Sequence, residues 1–399
     1  MSLEAKLLSE LTPQDLQDLV DDKALEDLTH EFKRDLPGNS EGEKLEFLYD
    51  VSSFANSSGG YVIYGLEELN GEAHELIGVA GVADANILRL EQLANSGIEP
   101  RIPGLQIVAV CLDENRSAIV MHIPRSPVLP HMVCLSGKSK FFQRGSNGKH
   151  PLDVNGIRVL FERHGSVARW VREFRATRLA QIQADEGSIP LNAHTLLVLH
   201  IVPFAAADPE FAVDLRRILA VRESPLVNPM DVNSHFGRCN SDGFLAYSAP
   251  NRDGNVWSYL QFFRTGCLEA VSASVIHEPD TNRVLCGESP EDSIVGALTR
   301  YLELLERVQV PVPLSVAISL TGVKDCIIQR CEPRSFPLSQ RVQIGTETLL
   351  LPEIVLESYA TDVQRVLRPA FDVLWNASGY DGSPSYDAQG NWARREQER

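Results

Sequence analysis

The sequence predicts an α+β protein built from two domains. Three observations carry that prediction. At 399 residues the chain is longer than one compact core usually runs. Short runs rich in β-formers stand beside longer runs with helical apolar spacing, and no internal repeat orders them. A polar stretch, QADEGSIPLN at 183–192, reads as a linker between two halves. The boundaries that follow are a helical extension over 1–23, a first domain over 24–164, helix and linker over 165–189, a second α+β domain over 190–380 and a loose tail over 381–399.

Taken in order, residues 5–22 have amphipathic spacing, with Thr12-Pro13-Gln14-Asp15 as a second start signal inside them. THEFKRD then reads as a strand, and PGNSEGE as a polar loop. Over 43–56, Leu45, Leu48, Val51 and Phe54 recur at helical intervals, and Gly59-Gly60 stops that helix. YVIYGL reads as a buried strand that ends in Glu67-Glu68, and Asn70-Gly71 signals a turn. LQIVAVCL and SAIVMHIP follow as two strands of a hairpin. Asp153 is placed to cap a helix from Val154 to about Ala184. In the second half LLVLHIVPF, FLAYS, WSYLQFF, AVSASVIH and VPLSVAISLTGV read as strands, and EDSIVGALTRYLELLERVQV as an amphipathic helix.

Composition narrows the function classes. Hydrophobic residues make up 43% and charged residues 23%, as in ordinary globular chains. No apolar run of membrane-spanning length exists, and the acidic start MSLEAKLLSELTPQDL lacks the layout of a signal peptide, so a cytoplasmic address is expected. The seven cysteines are scattered, and even the nearest two, Cys326 and Cys331, have no histidine at ligand spacing, which argues against disulfides and structural zinc. Net charge is −17, unusual for a protein that meets phosphates, yet residues 116–178 hold twelve Lys and Arg against three acids. Those cations either track a nucleic-acid backbone or balance acids on a solvated helix face. Gly137-Lys138-Ser139 resembles the end of a phosphate-binding loop, but Met132 stands where its first glycine belongs, so no nucleotide cofactor is expected. No G-x-S-x-G elbow marks a serine hydrolase.

On a strand, Glu31 and Lys33 share one face while Phe32 points into the core. Glu26 lies five residues earlier and meets Glu31 only across a turn. With Glu68 these make three carboxylates beside a lysine, a set whose hard oxygens suit Mg²⁺ or Mn²⁺. Glu31-Phe32-Lys33, Ser53-Phe54-Ala55-Asn56-Ser57-Ser58-Gly59-Gly60, Tyr61 to Glu68 and Ile77-Gly78-Val79 together resemble the Schlafen-type AlbA domain. Ser126-Pro127, Pro130-His131 and Phe142-Gln143-Arg144-Gly145-Ser146-Asn147 are similar to its closing segments, so the resemblance spans about 24–164. It implies a mixed sheet with flanking helices and work on nucleic acid. In animal Schlafen proteins the domain cleaves RNA, which implies Glu26, Glu31 and Glu68 as metal ligands, with Glu67 the neighbouring candidate. Lys33 beside them is the expected catalytic cation, contacting phosphate or offsetting charge in the transition state. Glutamate stands at 68 where the family has aspartate. Many bacterial relatives are described only as DNA-binding.

Lys138, Lys140, Arg144, Arg169, Arg172 and Arg175 are the expected phosphate contacts. Three readings follow from these residues: a Mg²⁺- or Mn²⁺-dependent nuclease on RNA or DNA, a non-catalytic DNA- or RNA-binding regulator, and a protein-interaction module. No membrane partner is expected. The second half carries no chemical motif and reads as a recognition or dimerisation domain, which makes a homo-oligomer an expectation.

Overall fold

The computed structural model describes residues 6, 8–113, 115–145, 148–274, 276–277, 283–329, 342–387 and 389–393. Cys331, Ser146 and Asn147 lie outside the described residues. The chain divides into two units, Met1–Val167 and Ala168–Arg399.

In the first unit a capping box starts α1 (Pro13–Asp21). The Thr12 hydroxyl accepts from the Asp15 N–H, and the Asp15 carboxylate accepts from the Thr12 N–H at 2.8 Å. That cap shortens the helix expected over 5–22 and leaves Leu8–Glu10 as a separate 3₁₀ turn. β1 (His30–Lys33) buries Phe32. α2 (Glu41–Ala55) begins inside the expected loop, because Ser40 and Glu43 form a second capping box. It returns the chain to β2 (Gly59–Tyr64), which pairs in parallel with β1 so that Lys33 lies opposite Tyr64.

The apolar run does not continue straight to Glu68. At Gly65 φ is +88°, and a Cβ there would lie 2.8 Å from the Gly78 Cα. Only glycine turns here without strain. Beyond the bend, β3 (Leu66–Leu69) and β4 (Glu72–Leu76) form their own hairpin, closed by Asn70-Gly71 with φ of 56° and 79°. β5 (Val79–Ala80), α3 (Ala83–Gly97) and β6 (Ile98–Glu99) follow, then β7 (Gln106–Cys111), β8 (Arg116–Pro124), β9 (Met132–Leu135), β10 (Lys138–Gly145) and β11 (Gly148–Pro151). One sheet runs β1-β2-β8-β5 with β7 also on β8, and a second runs β11-β10-β9-β6. α2 and α3 cover one core on this mixed sheet, through Leu48, Val51, Phe54 and Leu90, and α1 packs Leu16 and Leu19 on the other face. α3 has no counterpart in the sequence reading.

α4 (Val154–Gln183) opens on Asp153, whose carboxylate accepts from the Gly156 N–H at 2.7 Å. The second unit is an antiparallel sheet between helices. It contains β12 (Leu196–Pro203), α5 (Leu215–Ala220), β13 (Phe236–Cys239), β14 (Gly243–Tyr247), β15 (Ser258–Phe263) and β16 (Leu268–Ser272). Then come β17 (Ile276–His277), β18 (Val284–Cys286), α6 (Glu288–Arg307), β19 (Leu314–Thr321), β20 (Ile327–Gln329), β21 (Thr348–Leu350), β22 (Ile354–Leu356) and α7 (Val363–Asn376). The main sheet runs β13-β14-β15-β16-β12-β19, with β21 and β22 sharing the far side of β19. α6 and α7 bury Tyr301, Phe371 and Trp375 on one face, while Leu179 and Ile182 of α4 pack on the other.

Residues 381–393, expected to be loose, are instead tied down where they are described. The Ser383 hydroxyl donates to Glu291 at 2.5 Å, the Ser385 hydroxyl donates to the same buried carboxylate, and Tyr386 pairs with Trp392. A buried acid needs such donors, and Glu291 recruits them from this segment.

Candidate functional site

Glu31 and Lys33 share a strand face as expected, and their ion pair closes at 2.6 Å. The other Glu31 oxygen is taken by the Arg144 guanidinium. Arg144 is not on the surface. Its side chain is 5% exposed, it lies 4.2 Å from the Phe54 ring centroid, and it donates to the Asp27 carbonyl at 3.2 Å. Its backbone N–H donates to the Ser57 hydroxyl at 2.7 Å. Its place among the expected phosphate contacts is therefore corrected, since the guanidinium is spent on bonds that lock β1 to β10. Burial alone would raise the Glu31 pKa, but Lys33 and Arg144 outweigh it and hold the carboxyl below its ordinary value. Burial likewise opposes charge on Lys33, and Asp50 and Glu31 reverse that, so its pKa lies above the usual lysine value.

Glu26 and Glu68 are occupied differently. Glu26 accepts from the Phe32 N–H at 2.7 Å, and its pKa is raised, first by burial and then by the charges of Glu31 and Glu68. Glu68 is exposed on the β3–β4 hairpin and accepts from the Gly71 N–H at 2.6 Å, serving the turn. Glu67 pairs with Arg34 at 2.9 Å. Among the described residues no three His, Cys, Asp or Glu side chains stand together in a way that could hold a metal ion. In this geometry Glu26, Glu31 and Glu68 are each engaged by other groups. Both Glu31 oxygens face cations, and the Gly65 bend takes Glu68 off the end of β2.

Two groups that sequence reasoning passed over complete the cluster. Asp50 is buried within α2 and accepts from Lys149 at 2.5 Å, and Lys149 also pairs with Glu46. An acid inside the apolar stripe of a helix was the available signal. Asn56 donates to the His131 and Phe142 carbonyls at 2.9 Å each and accepts from the His131 N–H at 2.8 Å. The motif residues therefore mainly join α2 to the closing segments.

The remaining cations divide. Lys138 and Lys140 are exposed at the start of β10, with Lys138 3.4 Å from Glu41. In the second unit Arg169 and Arg172 are exposed on α4. Arg175 is not available as expected, because its guanidinium donates to the Ile318 carbonyl at 2.7 Å and the Ser319 hydroxyl at 3.0 Å. Deeper in that unit Arg178, His200 and Tyr259 converge on the buried Glu269, at 2.7, 3.0 and 2.8 Å.

Residues 26–153, which carry this cluster, match the Schlafen, AlbA_2 family model. The chain carries an N-terminal Schlafen AlbA_2 domain. No curated protein matches the chain. Among solved structures, the N-terminal domain of a RecG-related protein from Nitrosomonas europaea is 20% identical, covering 29% of this chain and 73% of that one, with a TM-score of 0.22. The DIP2311 protein from Corynebacterium diphtheriae is 14% identical over 53% of this chain and 38% of that one, with a TM-score of 0.25. No helix among the described residues is long and apolar enough to cross a membrane.

Proposed function

We propose that this protein binds RNA or DNA through its Schlafen AlbA_2 domain, and that the Glu31 cluster is the scaffold of that domain rather than a metal centre. The observation that carries the reading is the enclosure of Glu31 between Lys33 and Arg144 inside a domain of this family. A carboxylate held by two cations gains little from a third, so the cluster organises β1, α2 and β10 and leaves exposed cations to meet phosphates. Lys138 and Lys140 stand two residues apart on the β9–β10 hairpin and so share a face. Phosphate contacts of this kind supply affinity without reading sequence. A cytoplasmic setting belongs to the same proposal.

Salt dependence tests it. Binding of the full chain to a labelled single strand should weaken with ionic strength at a log–log slope of about −0.7 per phosphate contact. Lys138→Ala with Lys140→Ala should flatten the slope by about 1.4. An unchanged slope would remove that hairpin from the interface.

A further inference from the structure

At the carboxyl ends of the parallel pair β1–β2 the domain holds a hollow of about 500 Å³. Ligands of open sheets with parallel strands commonly bind at such ends. Lys33 and Tyr64, the last register partners of the pair, both line it. Tyr64 is 3% exposed and brings a phenol hydroxyl to the lining. A buried phenol normally finds a hydrogen-bond partner. Across the hollow, Asp50 and Glu46 each give one carboxylate oxygen to Lys149, which leaves each a second oxygen as an acceptor. Phe47 and Leu36 supply apolar wall.

A second hollow, of about 370 Å³, shares Asp35 and Leu36 with the first and is flanked by Arg34 and Arg116, both exposed. Arg34 holds Glu67 and Arg116 donates to the Ile77 carbonyl, yet each guanidinium keeps further donors. The two hollows differ in sign. Carboxylates crowd the first and arginines flank the second.

We propose that they form one bipartite site for a nucleoside phosphate unit, with an amino-bearing base in the acidic hollow and its phosphate between Arg34 and Arg116. The carboxylates would repel a phosphate and accept from an exocyclic amine, as Asp and Glu accept from cytosine N4. Tyr64 Oη–H and Lys33 Nζ donate to the ring nitrogen or carbonyl beside that amine. The proposal deepens the nucleic-acid reading and rests on it for its source, a base turned out of a strand. A free mononucleotide presents the same chemistry.

The test titrates the full chain with CMP, GMP and UMP by calorimetry, beside a fluorescein-labelled single-stranded oligonucleotide. CMP or GMP should bind at least about fivefold tighter than UMP, because UMP leaves the carboxylates without an amine. Tyr64→Phe deletes only the hydroxyl and should weaken CMP binding about threefold. Arg34→Ala with Arg116→Ala should weaken it about tenfold, both variants keeping the wild-type circular dichroism spectrum. Displacement of the oligonucleotide by CMP assigns the base to a strand, and CMP binding without oligonucleotide binding assigns it to a free nucleotide. Either outcome sustains the site. Equal affinity for CMP and UMP, or for wild type and both variants, overturns it. Oligonucleotide binding that persists in that case leaves the nucleic-acid reading standing.

Discussion

Arg144 reaches Glu31 across 113 residues of sequence, and no local pattern announces that contact. The family motif places both residues without saying that they meet, so the arginine reads as a phosphate contact until the fold is known. Glu31 facing Lys33, by contrast, follows from the two-residue period of a strand and was legible. Removing the guanidinium should leave Glu31 partly desolvated with Lys33 as its remaining cation. Arg144→Ala is expected to cost about 3–5 kcal/mol of stability in urea unfolding, the usual penalty for breaking a buried pair. A variant of wild-type stability that bound nucleic acid poorly would return Arg144 to the surface. Glu269 gives a second test. Burial opposes its ionisation, but Arg178 and His200 prevail and lower its pKa from 4.5 to about 2. A depressed carboxyl stabilises the fold above its unfolded pKa and loses that contribution as pH falls through the folded one. Stability should therefore fall between about pH 4.5 and 2, by on the order of 3 kcal/mol from this group. Glu269→Gln should flatten the acid limb of a pH–stability curve.

Elements with clean start and stop signals were legible. The strand at 30–33, the long helix capped by Asp153 and the apolar strands of the second unit lie where spacing puts them. α3 was not legible, since Val82 at its start offers no side-chain cap, and α7 carries Pro369 in its interior, which interrupts its pattern. The run YVIYGLEE conceals a break because Gly65 in a β-rich stretch looks like any tolerated glycine. The difference moves Glu67 and Glu68 onto a hairpin, and with them the expected metal site. Gly65→Ala should cost about 1–3 kcal/mol, through both φ and the clash with Gly78. Gly71→Ala, where a Cβ meets nothing within 4 Å, should cost only about 1 kcal/mol for its positive φ. Thermal denaturation of the two variants checks the order, and equal losses would mean that the bend at Gly65 is not sterically required.

For the molecule as a whole, a net charge of −17 sets a strict condition on nucleic-acid binding. Contacts must come from local clusters of cations, because the acidic remainder of the surface repels phosphates. Lys138 and Lys140 in the first unit meet that condition by exposure, whereas Arg144 and Lys149 do not, because acids inside the domain consume them. On the proposed function the domain holds a strand without cutting it. Labelled single-stranded RNA, single-stranded DNA and duplex DNA incubated with the full chain, in Mn²⁺ and in EDTA, test this on one native and one denaturing gel. Retarded strands of full length are expected in both buffers, with affinity unchanged by the metal. Shortened products that require Mn²⁺ and vanish in Glu26→Gln would contradict it.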